Sequence, residues 1–142
     1  MQERAARVFL VLTSNSVEEL PPEMIRKGRL DEIFFVDLPG QDARREIFRL
    51  HLVKRGEDPA RFQLDKLAQA SRGFSGAEIE QSVVSALYDA RAAGIPLYTA
   101  AIVVALRSTR PLSVVRGEKI AALRAWAAER CVPADTAPDE DP

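Results

Sequence analysis

The chain has 142 residues, 46% of them apolar and 29% charged, which is a globular balance and enough length for one ordinary domain or part of one with a smaller companion. Its formal net charge of -1 supplies no global attraction for nucleic acid or anionic lipid, and its single cysteine, Cys131, excludes an internal disulfide and fits a reducing compartment. No segment approaches the roughly 20 apolar residues of a membrane span, and the run behind Met1-Gln2-Glu3-Arg4 is too short for a secretory leader, so the expectation is a cytoplasmic protein with neither nucleic acid nor membrane as partner.

Val8-Phe9-Leu10-Val11-Leu12 is a continuous apolar run without alternation, the pattern of a strand buried on both faces of a parallel sheet. It ends in Thr13-Ser14-Asn15. Pro21-Pro22 opens a short helix, since proline tolerates the first turn; Glu23 to Lys27 continue it and Gly28 stops it. Ile33-Phe34-Phe35-Val36 reads as a second buried strand, closed by Pro39-Gly40. Residues 1–40 are therefore expected to be α/β.

Beyond Gly40 the periodicity is helical throughout. Gln41 to Lys54 carries Ala43, Ile47 and Leu50 on one stripe, widened by Phe48 and Leu52, and Leu64 to Ser71 is a short helix ended by Gly73. Ser75-Gly76-Ala77-Glu78 is a capping box, in which the Ser hydroxyl and the Glu carboxylate each satisfy an orphan backbone N–H. Ile79, Val83, Ala86, Leu87 and Ala90 form the apolar stripe behind it, and Gly94 with Pro96 ends the helix. Thr99 caps a further helix through Leu106, and Ser113 to Arg130 reads as one last helix burying Ile120, Leu123, Trp126 and Ala127. Pro133 to Pro142, acidic and proline-bearing, reads as loose. The chain thus divides into 1–40, 41–94, 95–131 and 132–142.

Asn15 stands where a parallel strand ends, the place where ligands of open α/β sheets bind. Its amide can hold a water while donating to a phosphate oxygen; a turn-forming Asn is the plainer alternative. Arg29 sits in a turn between helix and strand, where its planar, permanently charged fork suits a phosphoryl group and a solvated surface charge is the alternative. Phe34-Phe35-Val36-Asp37 imitates a strand ending in a metal-binding Asp, but Leu38-Pro39 follows where a catalytic Glu is needed. No Gly-x-x-x-x-Gly-Lys-Ser/Thr occurs, so nothing in the sequence cradles phosphates. His51, the only histidine, and Cys131 do not make a metal site without further ligands, and none is expected.

The ordered set Asn15, Gly28-Arg29-Leu30-Asp31, His51 and Gly73 to Glu78 resembles the C-terminal part of an AAA-type (AAA+ superfamily) ATPase, over about Val8 to Ala92. The resemblance implies an α/β portion, the back part of a P-loop NTPase parallel sheet, followed by an all-α helical lid. In the five-stranded sheet of that family the two strands here would be separated by the first strand. Asn15 would be the sensor-1 residue and Arg29 an arginine finger acting in trans. Glu32 stands where the family pattern often has a second arginine, so one finger is implied. His51 would stack on or bond the nucleoside, with Gly76 and Ala77 packing closely around adenine. ATP and Mg2+ would serve the complete protein, a homo-oligomeric ring, whereas this chain lacks Walker A and Walker B and is expected to be inactive alone. The stretch from Pro111-Leu112-Ser113 to Arg130 is similar to the end of a bacterial and chloroplast group of AAA proteins of poorly defined role. The competing reading is a non-enzymatic helical protein-interaction module.

Overall fold

Residues 9–14, 16, 23 and 31–135 are described by the structure, a computed structural model. The chain divides into two units, Met1–Glu32 and Ile33–Pro142. In the first, Phe9 to Leu12 are exposed and form no strand. The expected buried strand is not formed there, because such a run is stable only when its N–H and C=O groups find a ladder. Ser14 and Ser16 close a local turn, the Ser14 hydroxyl donating to the Ser16 carbonyl oxygen at 2.7 Å. Of the expected helix after Pro21-Pro22 only Glu23 is among the described residues, and it is helical.

The second unit runs β1 (Phe34–Phe35), α1 (Gln41–Lys54), a 3-10 turn (Pro59–Arg61), α2 (Leu64–Ala70), α3 (Gly76–Ala92), α4 (Thr99–Ser108), α5 (Leu112–Val115), α6 (Gly117–Ala128) and β2 (Val132–Pro133). Helices α1 to α4 enclose one core, α1 against α2 and α3, and α4 against α2 and α3. Phe48, Leu52, Leu67, Ile79, Val83, Ile102 and Leu106 are fully buried in it. Each such side chain contributes about 1.5–3 kcal/mol when taken from water. On α3 the buried stripe is the expected one, with Ser82 added and its hydroxyl satisfied by the Glu78 carbonyl oxygen at 2.9 Å. On α1 the stripe is rotated from expectation. Arg44, Phe48 and Leu52, each four residues apart, face the core, while Ala43 and Ile47 are half-buried and Leu50 is exposed.

A buried arginine is the reason that face works. Arg44 Nε donates to the Ala68 carbonyl oxygen at 2.9 Å and Nη1 to that of Pro39 at 2.8 Å. The guanidinium thereby binds the loop after β1 to the end of α2, repaying part of its desolvation with charge-assisted bonds.

The second strand forms only at Phe34–Phe35, and it is not the buried strand expected, since Phe34 and Val36 are exposed; its partner comes from the far end of the unit. It pairs in parallel with Val132–Pro133, Val132 N–H donating to Ile33 and Ala134 N–H to Phe35, each at 2.9 Å. Pro133 is tolerated because the ladder uses the N–H groups of Val132 and Ala134 on either side of it and needs none at Pro133. The expected last helix is two helices, broken where Arg116 leaves helical geometry (φ -127, ψ 31). Its buried side is correspondingly reduced: Ala127 is buried, while Ile120, Leu123 and Trp126 are half-buried. Arg124 Nε donates to Asp37 Oδ2 at 2.8 Å and so ties α6 to the end of β1. No helix among the described residues is long and apolar enough to cross a membrane.

Candidate functional site

Of the residues singled out for a nucleotide site, His51, Gly76 and Ala77 are described, and His51 and Gly76 lie where α1 packs on α3. Helix α3 starts there because Ser75 and Glu78 form the expected capping box: Glu78 N–H donates to Ser75 Oγ at 3.4 Å, and Ser75 N–H donates to Glu78 Oε2 at 2.7 Å. The preceding turn is fixed by Gly73, whose φ of +77 favours glycine. Its carbonyl oxygen accepts from Ser113 N–H at 3.4 Å, which brings the start of α5 onto this turn.

Two steps of four residues then face each other. Ile47 and His51 lie one turn apart on α1, Gly76 and Glu80 one turn apart on α3. A Cβ added to Gly76 would meet Ile47 Cδ1 at 3.7 Å, an ordinary contact, so packing against Ile47 does not itself require glycine. Ala77 is exposed at the same helix start. His51 Nδ1 lies 3.4 Å from Glu80 Oε1, which also accepts from Arg55 Nη2 at 2.9 Å and has Lys54 Nζ at 3.8 Å. The Arg55 and His51 side chains are only 17% and 20% exposed, so both groups are partly withdrawn from water. Arg55's hydrogen bond is the main reason the Glu80 carboxyl is held below its ordinary range; desolvation opposes it, and attraction to His51, Lys54 and Arg55 adds to it.

The sequence reading had no signal for Glu80 or Arg55, because helical spacing shows neighbours on one helix and not across two. Asn15 and Arg29 lie outside the described residues. Asp37, the imitation of a metal-binding strand end, is occupied instead by Leu38 N–H on Oδ1 and Arg124 on Oδ2. No group of three or more metal-ligating side chains occurs among the described residues. Among the described residues one concavity lies between Arg45, Phe62 and Asp65 and another between Phe35, Arg124 and Cys131, and neither of these is lined by His51, Gly76 or Ala77.

The chain is 38% identical over 130 residues to an uncharacterized AAA domain-containing protein, ycf46, of Pyropia yezoensis, an alignment covering 91% of this chain and 26% of that protein. It is 43% identical over 128 residues to the protein of the same description in Trieres chinensis, covering 89% of this chain and 26% of the relative. It is also 38% identical over 81 residues to a proteasome-activating nucleotidase of Sulfurisphaera tokodaii, covering 57% of this chain and 20% of that protein. The chain thus spans about a quarter of the length of the curated ycf46 proteins it matches. No family model matches it, and no solved structure does.

Proposed function

Starting from the fact that this chain belongs to the AAA-type ATPases and carries C-terminal sequence of one, we propose that it serves nucleotide sensing and lid movement in a complete, ring-forming ATPase. The observation that carries this reading is similarity over nine-tenths of the chain to AAA domain proteins. In this reading Asn15 orients water and a phosphate oxygen at the end of its strand. Arg29 reaches the γ-phosphate bound by a neighbouring subunit. His51, Gly76 and Ala77 meet the nucleoside from the lid.

The nucleoside contact in this reading takes its support from His51. His51 Nδ1 is engaged by Glu80 and Arg55, while Nε2 has no partner among the described residues and remains for a ligand. The phosphates and Mg2+ would be held by a phosphate loop and carboxylates that this sequence does not contain. Bound ATP would supply the reacting γ-phosphoryl group; this chain's part is to sense it, stabilise charge in trans and move with it.

The deciding experiment is Arg29→Ala in the complete ATPase. A finger acts in the transition state, so turnover should fall about 10³-fold or more while nucleotide affinity stays nearly unchanged. Mixing this variant with an active-site-dead subunit should restore part of the activity. Collapse of nucleotide affinity with no rescue in mixed rings would refute the trans role.

A further inference from the structure

His51 Nδ1 faces two groups with opposite demands. Glu80 Oε1, 3.4 Å away, can only accept and so selects a protonated Nδ1. Arg55 Nη1, 3.5 Å away, can only donate and so selects a bare Nδ1. Both contacts are longer than a relaxed hydrogen bond, and the position of one proton decides which of them closes. Arg55 has other outlets: Nη2 donates to Glu80 at 2.9 Å, and Nη1 also reaches the His51 carbonyl oxygen at 3.4 Å. Glu80 has no proton to give while it is ionised, and Arg55 keeps it ionised.

We propose that Glu80, anchored by Arg55, is a positioning residue that holds neutral His51 in its Nδ1–H tautomer and makes Nε2 a hydrogen-bond acceptor for a donor group on the bound nucleoside. The nucleoside half of this inference rests on the function proposed above; the tautomer half rests on the geometry alone. The charged groups that face His51 are Arg55 from the end of its own helix and Glu80 from α3, with Lys54 reaching Glu80. An acceptor nitrogen matches an exocyclic amine or a ribose hydroxyl and rejects a base that offers a carbonyl oxygen in the same place.

His51 is the only histidine, so its imidazole nitrogens give unambiguous signals in a ¹⁵N-labelled sample of the chain. At alkaline pH the unaltered chain should show Nδ1–H. Glu80→Ala should switch it to Nε2–H, because Arg55 then fills Nδ1, whereas Glu80→Gln, whose amide oxygen still accepts, should retain Nδ1–H. Equal helical circular dichroism across the three confirms that folded proteins are being compared. Nε2–H in the unaltered chain, or no switch in Glu80→Ala, overturns the proposal. In the complete ATPase, Glu80→Ala should weaken ATP about 5-fold, the worth of one ordinary hydrogen bond. A selective loss with 2′-deoxy-ATP assigns the donor to the ribose, and one with inosine triphosphate assigns it to the amine. If the tautomer switch holds but ATP leaves the His51 signals unmoved, the nucleoside contact fails and the positioning by Glu80 stands.

Discussion

A Cβ placed on Gly73 would lie 2.2 Å from Ser113 Oγ and 3.1 Å from Ser113 Cβ. The turn that leads into α3 and the start of α5 therefore approach one another through a position where an added side chain would force Ser113 to move. Gly73 also has φ +77, so two separate penalties meet at one residue. Gly73→Ala should destabilise the chain by roughly 1–3 kcal/mol from backbone strain alone, with the Ser113 contact added. Gly94, at φ +68 with nothing within 4 Å of its would-be Cβ, supplies the control. Urea denaturation should show Gly73→Ala to be worse than Gly94→Ala, and Ser113→Gly in the Gly73→Ala background should recover the difference.

Loss of the cap at Ser75 should be felt by α3 and by the core it carries. Ser75→Ala removes the acceptor for Glu78 N–H and should cost about 0.5–2 kcal/mol, whereas Ser75→Gly should cost only a few tenths. Thermal melts of the two variants give the comparison. Equal costs would show that the hydroxyl is not the stabilising element.

The Glu80 cluster predicts a pH dependence of defined sign. Arg55's hydrogen bond, joined by attraction to His51, Lys54 and Arg55 itself and opposed by desolvation, holds the Glu80 carboxyl below 4.5. A carboxyl depressed by folding stabilises the native state above its unfolded value, and that contribution is lost as pH falls through the folded value. Glu80→Gln should therefore melt below the unaltered chain at neutral pH, and the two should converge on acidification below 4.5. Because Glu80 is 37% exposed, added salt should narrow the neutral-pH gap. Melting curves that stay parallel from neutral to acid pH would count against the cluster.

Arg124→Ala should loosen the β1–β2 pair without unfolding the helices. The Arg124–Asp37 ion pair is partly exposed and is expected to contribute about 0.2–1 kcal/mol. Amide exchange should quicken at Val132 and Ala134, whose N–H groups enter the ladder, while Ile79 to Leu87 remain slow. Equal acceleration at both places would show that the strand pair and the helical core open together.

The helical part was legible because its signals are local. Gln41–Lys54 carries its own periodicity, and the box at Ser75 and Glu78 sits within one turn. Even there, periodicity did not reveal which flank of α1 faces inward. Arg44 was not among the residues expected on the stripe, and bonds to the carbonyl groups of Pro39 and Ala68 help to make its burial tolerable. The 3-10 turn at Pro59 had a readable sign that was passed over: Asp58 Oδ1 accepts from Ala60 N–H at 3.0 Å, with proline in the first position. The break at Arg116 had weaker ones, two β-branched residues before it and a glycine after it. At the candidate site His51 and Gly76 were legible as residues, but their relation through Glu80 and Arg55 depends on how two helices dock. The pairing of Phe34–Phe35 with Val132–Pro133 was equally hidden, since it joins a typical apolar strand to a segment with the composition of a tail.

That pairing gives synthesis on the ribosome a particular order of events. Phe34 and its partner Val132 are 98 residues apart, so at about 5–20 residues per second β1 emerges roughly 5–20 s before β2 does. Helices α1 to α4 pack on elements no more than two helices away in the chain and can close earlier, whereas the β1–β2 contact must close a long loop and comes last. Throughout that interval Phe34 and Phe35 present open hydrogen-bonding edges, which leaves this short stretch of the nascent chain open to pairing with the wrong strand.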